Sequence, residues 1–208
     1  SPHPNVYQNV GSETAQYAGG DFAFGRGEYE GESLYLFRAN YTGVNTYNHF
    51  NLNRRIFSYT GFYDVNGVEG YDGAKSFFGL GGEMSFTPNF KIGSFKMGLG
   101  LSVGAVGEAG EYFDFVKTAD QTGKIDGYEN VVHFMISVFP AFSYEFSGST
   151  NLSAQINAGI PGVLSPIITL NNDNNVYWIS VIPNFNRDED TFANRIAAGF
   201  MINMNGFF

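Results

Sequence analysis

The segment SFKMGLGLSVGAVG, residues 94–107, follows a two-residue rhythm that constrains the fold more than any other feature of the chain. From Met97 to Gly104, bulky apolar residues alternate with Gly or Ser. A period of two is typical of a β-strand, whose successive side chains point to opposite faces. A strand of a soluble sandwich usually carries polar side chains opposite its apolar row. Here the second row is almost bare, which favours a strand that faces hydrocarbon on one side and a crowded or wet cavity on the other.

The same alternation recurs in four further segments, and we expect their bulky rows to face the same surroundings. Those rows are Tyr35, Phe37, Ala39 and Tyr41; Phe57, Tyr59, Tyr63 and Val65; Phe78, Leu80, Met84 and Phe86; and Phe134, Ile136, Val138, Phe142, Tyr144 and Phe146. Turn-forming stretches such as VNGVEGYDG, SGST and NNDNN separate the runs. Together they predict an all-β chain.

The strand count is about ten, with eight as the alternative. Pro140 predicts a bulge or a bend within its strand, because proline lacks the N–H group that a ladder needs. If IPGVLSPIITL, residues 160–170, is a loop rather than a turn followed by a strand, the count falls to eight. The polar stretch Glu108–Asn130 is the longest insert, and we place it outside the membrane, with the SGST turn on the inner side.

Composition indicates that the outer surface faces lipid. Charged residues make up 15% of the 208 residues, against roughly 25% in most soluble domains, and aromatic residues make up 17%. No stretch contains the roughly 20 consecutive apolar residues that a membrane-spanning helix needs, so spanning requires strands. Strands can cross a bilayer only as a closed sheet. The prediction is one antiparallel up-and-down transmembrane β-barrel over residues 1–208, with residues 1–16 as a flexible N-terminal segment.

The final segment, GFMINMNGFF, carries apolar residues at alternate positions back from Phe208. They include Phe200, Ile202 and Met204. This ending resembles the terminal strand of bacterial outer-membrane β-barrel proteins. The resemblance implies that the barrel-assembly machinery recognises this strand, and that the chain resides in the outer membrane among its lipids.

No charged residue falls at mid-strand on the rows assigned to the lipid, and several share the rows assigned to the interior. An Arg or Lys facing lipid at the bilayer midplane costs about 2–4 kcal/mol, so this sorting is informative. We expect an interior polar network that fills a narrow lumen and consists of Arg38, Glu83, Lys96, Glu145 and Arg195. The residues expected to face lipid include Leu99, Leu101, Phe134, Ile136, Phe200 and Ile202. Aromatic residues near strand ends, expected to form interfacial girdles, are Tyr41, Tyr63, Phe86, Tyr144, Phe146, Tyr177 and Trp178.

Catalytic, metal and nucleic-acid sites find little support in the sequence. His133 and Ser137 share one strand face with Glu145, which leaves open a lipid-modifying hydrolase built on a Ser–His–acid arrangement. We otherwise expect no enzyme activity, no metal and no cofactor. The chain has no Cys, and His3, His49 and the acidic turn NRDED lack ligand spacing. A net charge of −9 with 11 Lys and Arg residues argues against nucleic acid.

Three functional classes remain. The first is a monomeric outer-membrane barrel that provides a narrow passage for small or hydrophobic solutes, or that interacts through its surface loops. The second is a soluble or periplasmic barrel whose apolar rows enclose a lipid or another apolar ligand. The third is the outer-membrane hydrolase with Ser137 and His133. The direction in which the bulky rows point separates the first class from the second.

Overall fold

The computed structural model describes a closed antiparallel β-barrel. The residues it describes are 14–26, 33–47, 49–66, 70, 72–88, 90–121, 132–160, 163–172, 174–184 and 193–205. Its strands are β1 (Thr14–Arg26), β2 (Ser33–Thr46), β3 (Phe50–Val65), β4 (Gly73–Pro88), β5 (Phe90–Ile92), β6 (Phe95–Ala109), β7 (Val132–Ser147), β8 (Thr150–Ile160), β9 (Val163–Asn172), β10 (Asn175–Asn184) and β11 (Ala193–Asn203). One helix, α1 (Glu111–Gln121), lies between β6 and β7.

Ten of these strands form the barrel wall, and β5 is a three-residue strand that pairs only with β6. Successive wall strands pair with each other, β4 pairs with β6, and β11 pairs with β1 to close the sheet. The predicted up-and-down barrel of about ten strands is confirmed. The alternative of eight is wrong, because residues 163–172 of this region form strand β9.

Alternation along the strands separates an apolar outside from a more polar inside. In β6 and β7 the outward row is strongly exposed, with Leu99 at 66% and Phe134 at 76% of full exposure, whereas Ser102 between the outward residues of β6 is 4% exposed. Ile136, Leu101, Phe200 and Ile202 are exposed in the same way. The soluble-barrel alternative requires these residues to meet in a shared interior, and they do not. The architecture is that of outer-membrane barrels, in agreement with the resemblance of the final strand.

Strand β3 corrects the expected row assignment. Phe57 and Tyr63 point inward, with exposures of 4% and 7%, while Ile56 and Phe62 point outward. The sequence pattern placed the inward row outside because its aromatic residues are bulky. Gly residues on neighbouring β4 make room for these rings, since a Cβ at Gly81 would contact the Phe57 ring. An aromatic row can therefore face the lumen.

Pro140 does not produce the expected bulge. Strand β7 is continuous through Pro140, which faces outward and lies opposite Leu99 of β6. On its other edge, the pairing with β8 skips residues 139–140 and resumes at Ala141 in the same register. The shift in register occurs later, between Glu145 and Ser147.

The two ends of the barrel differ in their connections. At one end, which we call the inner end, β1 begins, β11 ends, and the connections are 47–49, 89–94 with the short strand β5, 148–149 and 173–174. At the other end, the external end, the connections are 27–32, 66–72, 110–131, 161–162 and 185–192. Outer-membrane barrels have short periplasmic turns and longer outer loops, so we expect the inner end to face the periplasm.

Two predicted segment boundaries change. Strand β1 begins at Thr14, so residues 14–16 of the expected N-terminal segment belong to the wall, and residues 1–13 lie outside the described residues. The insert Glu108–Asn130 contains the end of β6 and helix α1, which the sequence analysis did not predict. Residues 122–130 lie outside the described part. No helix among the described residues is long and apolar enough to cross a membrane.

Exposed aromatic residues surround the barrel near both ends. Near the inner end, Phe50 stacks on Tyr47 with ring centroids 4.4 Å apart, and Phe95 lies 4.8 Å from Tyr144. Near the external end, Phe22 contacts Tyr35 at 6.5 Å. Of the residues predicted for girdles, Tyr41, Phe86, Tyr144, Phe146 and Tyr177 are exposed. Tyr63 and Trp178 instead lie in the interior.

Candidate functional site

A continuous belt of polar side chains crosses the lumen side of five neighbouring strands. Arg55 Nε of β3 donates to Thr42 Oγ1 of β2 at 3.0 Å, and its Nη1 lies 3.4 Å from Glu83 Oε2 of β4. Ser102 Oγ of β6 donates to Glu83 Oε1 at 2.7 Å, and Ser137 Oγ of β7 donates to Ser102 Oγ at 3.2 Å. The period of two places all five side chains inside, and the register brings them to adjacent levels.

A second ion pair lies beside this belt. Arg38 Nε of β2 donates to Asp21 Oδ2 of β1 at 2.8 Å, and the two side chains are 3% and 0% exposed. Asp21 and Arg38 are directly opposite each other in the β1–β2 ladder. Removing one partner of a buried pair leaves the other charge unpaired, which typically costs about 3–5 kcal/mol. The two pairs bring two positive and two negative charges together, so the belt is balanced in charge.

Polar and aromatic side chains occupy the lumen on the opposite side of the wall. Ser153 Oγ donates to Ser143 Oγ at 3.1 Å, and Gln155 Nε2 donates to Asn157 Oδ1 at 3.0 Å. The side chain of Phe139, which is 1% exposed, fills space between these polar side chains and β6. A Cβ at Gly100 of β6 would collide with the Phe139 ring, so this glycine is needed for the close approach of the ring. The described lumen is filled at this level.

The five residues predicted as one polar network have other partners. The ion pairs join Arg38 to Asp21 and Glu83 to Arg55. Glu145 pairs with Lys91 of β5 at 3.3 Å.

The other two predicted members lie at opposite ends of the barrel. Lys96 is buried near the inner end, with Lys91 and Glu145 as its charged neighbours. Arg195 lies in the external half of β11, opposite Gly25 and Ile182.

Asp21, Arg55 and Lys91 are the charged residues that the sequence analysis missed. The sequence contained a signal for Arg55, because a charged residue in a membrane-spanning strand favours the lumen. Placing Arg55 in the lumen would also have assigned the aromatic row of β3 to the interior. The adjacent Arg54 obscured that signal, because two consecutive residues of a strand cannot face the same side. Asp21 lies in a strand that the alternation analysis did not assign, and Lys91 lies in the short β5.

The residues considered for a hydrolase have other partners in the structure. His133 Nε2 lies 3.1 Å from Glu108 Oε2 near the external end, while Ser137 bonds to Ser102 inside the belt. Four residues along a strand separate His133 from Ser137, which corresponds to about 13 Å. Glu145 lies farther along β7 towards the inner end. The arrangement does not present a nucleophile to a base.

The external end contains an aromatic cluster covered by α1. Phe115 of α1 is buried against Tyr63 and Phe77 of the wall, together with Leu34 and Val65. Tyr112 adds ring contacts to both wall residues, with centroid distances of 4.7 Å to Tyr63 and 6.1 Å to Phe77. We call these residues and Phe113 the aromatic mouth.

A carboxylate fixes the start of α1 to the wall. Glu111 accepts hydrogen bonds from Ser76 N at 3.1 Å and Ser76 Oγ at 2.8 Å. These bonds hold the pKa of Glu111 below its usual value, because hydrogen bonds to the ionised carboxylate stabilise the charged form. Helix α1 is therefore held by a charged contact at its first residue and by apolar packing at Phe115.

Comparison with known proteins gives similarity of structure only. No known protein-family profile matches the chain. No curated protein matches it in sequence.

Several solved bacterial outer-membrane barrels are similar in structure. Neisserial surface protein A is 12% identical, with coverage of 91% of this chain and 96% of that one at a TM-score of 0.41. The β-domain of the Bordetella autotransporter BrkA is 9% identical, with coverages of 91% and 98% and a TM-score of 0.48. An outer-membrane channel from Pseudomonas putida F1 is 8% identical, with coverages of 98% and 100% and a TM-score of 0.48.

Proposed function

We propose that this protein is an outer-membrane barrel with a sealed lumen that acts through its external end. The observation that supports the proposal is the filling of the lumen by mutually bonded side chains. Asp21, Arg38 and Arg55 have side chains at most 5% exposed, and hydrogen bonds link the belt across five strands. Water and ions need a continuous wet path, and buried side chains that bond to one another across neighbouring strands oppose one.

Electrical recording tests the sealed lumen. The purified protein, inserted into planar bilayers, is expected to give no steady ohmic conductance. Glu83→Ala with Arg55→Ala removes two large side chains from the belt, and this double variant is expected to conduct. Steady conductance by the unmodified protein would contradict the proposal.

Protease access tests the external end as the working surface. Trypsin added to intact cells is expected to cleave after Lys117 of α1, because this exposed residue lies in the external connection. Lys91, at the inner end, is the matched site that should resist cleavage until the outer membrane is opened. Cleavage of the Lys117 site only after opening would reverse the orientation and remove the support for this proposal.

A narrow passage for small hydrophobic solutes is the second candidate, and the aromatic mouth favours it. Tyr63, Phe77 and Phe115 offer an apolar entrance of the kind that binds small ligands. Its test is the uptake of a small radiolabelled aromatic compound by cells that produce the protein. This candidate predicts faster uptake than in cells without the protein, and slower uptake for Tyr112→Asp. Equal rates in all three strains would exclude it.

We further propose that the barrel-assembly machinery engages the chain through β11, where Phe200 and Ile202 form part of the outward row. Met204, also in the predicted signal, lies just after β11, and Phe208 lies outside the described residues. Ile202→Asp is expected to lower the amount of protein assembled in the outer membrane, whereas Ile156→Asp on β8 is the control for a lipid-facing charge alone. Equal losses in both variants would argue against a special role for β11.

A further inference from the structure

The outer face of the barrel carries a cationic side chain, Arg54, that takes no part in the lumen network. Arg54 belongs to the outward row of β3 and is exposed. It lies opposite Gly43 of β2 and Met84 of β4. Among the described residues it donates one hydrogen bond, to Asn45 Oδ1 at 2.5 Å, and no carboxylate lies within ion-pair distance of it. Arg has five N–H donors, so most of its binding capacity is directed away from the protein.

The surroundings of Arg54 divide into a polar half and an apolar half. On the β1 and β2 side, Asn45 Nδ2 donates to Thr14 Oγ1 at 2.8 Å, and Gln16 Oε1 accepts from Tyr41 Oη at 2.6 Å. On the other side the outward residues are Met84 of β4 and Val103 of β6, and Ile56 is the next outward residue of β3 after Arg54. A phospholipid likewise combines a polar head group with apolar acyl chains.

A groove with a volume of about 540 Å³ lies here, and its lining includes Thr14, Gln16, Tyr41, Arg54, Arg55, Ile56, Glu83, Met84 and Val103. Gly43 and Gly82 form part of its lining. Neither is required by wall packing: a Cβ at Gly43 would have its nearest neighbour at 4.0 Å, and one at Gly82 at 3.5 Å, which are ordinary contacts. Neither has a positive φ angle. The glycines of the lumen prevent collisions, whereas these two leave open space outside the wall.

We propose that this groove binds one phospholipid of the periplasmic leaflet, with its phosphate on Arg54 and an acyl chain along Gly82, Ile56 and Met84. The planar guanidinium matches a phosphate, because two parallel N–H groups can donate to two phosphate oxygens. Position also supports the site: Arg54 is four residues from the start of β3, roughly 10 Å along a tilted strand from the inner end. At that depth, a bound phosphate would neutralise the guanidinium charge of Arg54, which is unfavourable in hydrocarbon alone.

Native mass spectrometry tests the site with defined probes. The detergent-solubilised protein is titrated with phosphatidylglycerol, and wild type is expected to retain one molecule more tightly than further ones. Arg54→Gln is expected to weaken this binding by about tenfold or more, because charge-assisted hydrogen bonds are lost. Gly82→Leu fills the groove and is expected to weaken it by a similar factor. Ala158→Leu, on the outward row of β8, is the matched control and should bind as wild type does.

Two additional probes identify what the site recognises. Diacylglycerol with the same acyl chains lacks the phosphate and should not be retained, whereas millimolar inorganic phosphate should not displace phosphatidylglycerol. Complete displacement by inorganic phosphate would show a free-phosphate site and overturn the lipid proposal. Equal retention by wild type, Arg54→Gln and Gly82→Leu would also overturn it. Unchanged heat-dependent gel migration of each variant shows that the barrel is folded, so loss of binding is not loss of structure.

Discussion

The ion pairs of the barrel differ in how far water reaches them. The Asp21–Arg38 pair is almost fully buried, whereas Lys91 of the Lys91–Glu145 pair is 50% exposed. Water screens an exposed pair, whose contribution is typically about 0–1 kcal/mol. An interior charge without its partner has no such compensation. The same type of interaction therefore has different consequences at the two positions.

Arg38→Met is expected to lower the free energy of unfolding by about 3–5 kcal/mol, because Asp21 remains in the lumen without its cation. Lys91→Met is the matched change and is expected to cost about 0–1 kcal/mol. Urea unfolding of the barrel in lipid vesicles measures both. Equal effects of the two substitutions would show that burial does not set the strength of these pairs.

Glycines inside and outside the wall are expected to respond differently to an added methyl group. Gly100→Ala places a Cβ against the buried Phe139 ring, and overpacking of this kind typically costs about 1–3 kcal/mol. Gly43→Ala adds the same atom where the space is open and should leave the free energy of unfolding unchanged or higher. The same unfolding assay compares them. Phe139→Leu should relieve part of the cost at position 100, and a failure to do so would place the strain elsewhere.

At the scale of single elements, β3 and α1 show where sequence reasoning was limited. The alternation in β6 and β7 identified the outward rows, because Gly and Ser leave no doubt about which row is bulky. In β3 both rows carry aromatic or branched residues, so bulk alone could not identify the lipid side. Tyr63 and Tyr59 of β3 belong to the cluster that includes α1, and that contact joins residues far apart in sequence. Helix α1 was missed because its segment was interpreted as part of one long polar insert, although Tyr112, Phe115, Val116 and Ala119 have the i, i+3, i+4 and i+7 spacing of an amphipathic helix.

Acid should loosen α1 from the wall. The folded-state pKa of Glu111 lies below the ordinary value of 4.5, so its bonds to Ser76 stabilise the docked helix above that value. This contribution is lost as the pH falls through the lowered folded pKa. Hydrogen exchange of the α1 amides between pH 7 and pH 3, corrected for intrinsic rates, should show reduced protection only at the acidic end. Glu111→Gln removes the titrating group, so an identical pH profile for this variant would contradict the assignment.

At the scale of the whole molecule, closure and sidedness support each other. Ten strands close the sheet, and closure satisfies the backbone hydrogen bonds that a bilayer leaves unmet. The apolar rows then form a continuous outer band between two aromatic zones, while the ion pairs lie inside. The strand number and the outward rows of β2, β4, β6 and β7 followed from the sequence, since both depend on local alternation and turns, whereas the outward row of β3 did not. The pairs Asp21–Arg38 and Arg55–Glu83 did not, because register between strands decides them.

Carbene footprinting in lipid vesicles tests the central assignment of inside and outside most directly. A diazirine reagent that dissolves in the acyl region is activated by light, and the labelled residues are identified by mass spectrometry. We expect strong labelling at Leu99, Leu101 and Phe134 and none at Thr42 or Ser102, in a pattern that alternates along each strand. Strong labelling of Thr42 and Ser102, with Leu99 and Phe134 protected, would contradict the account.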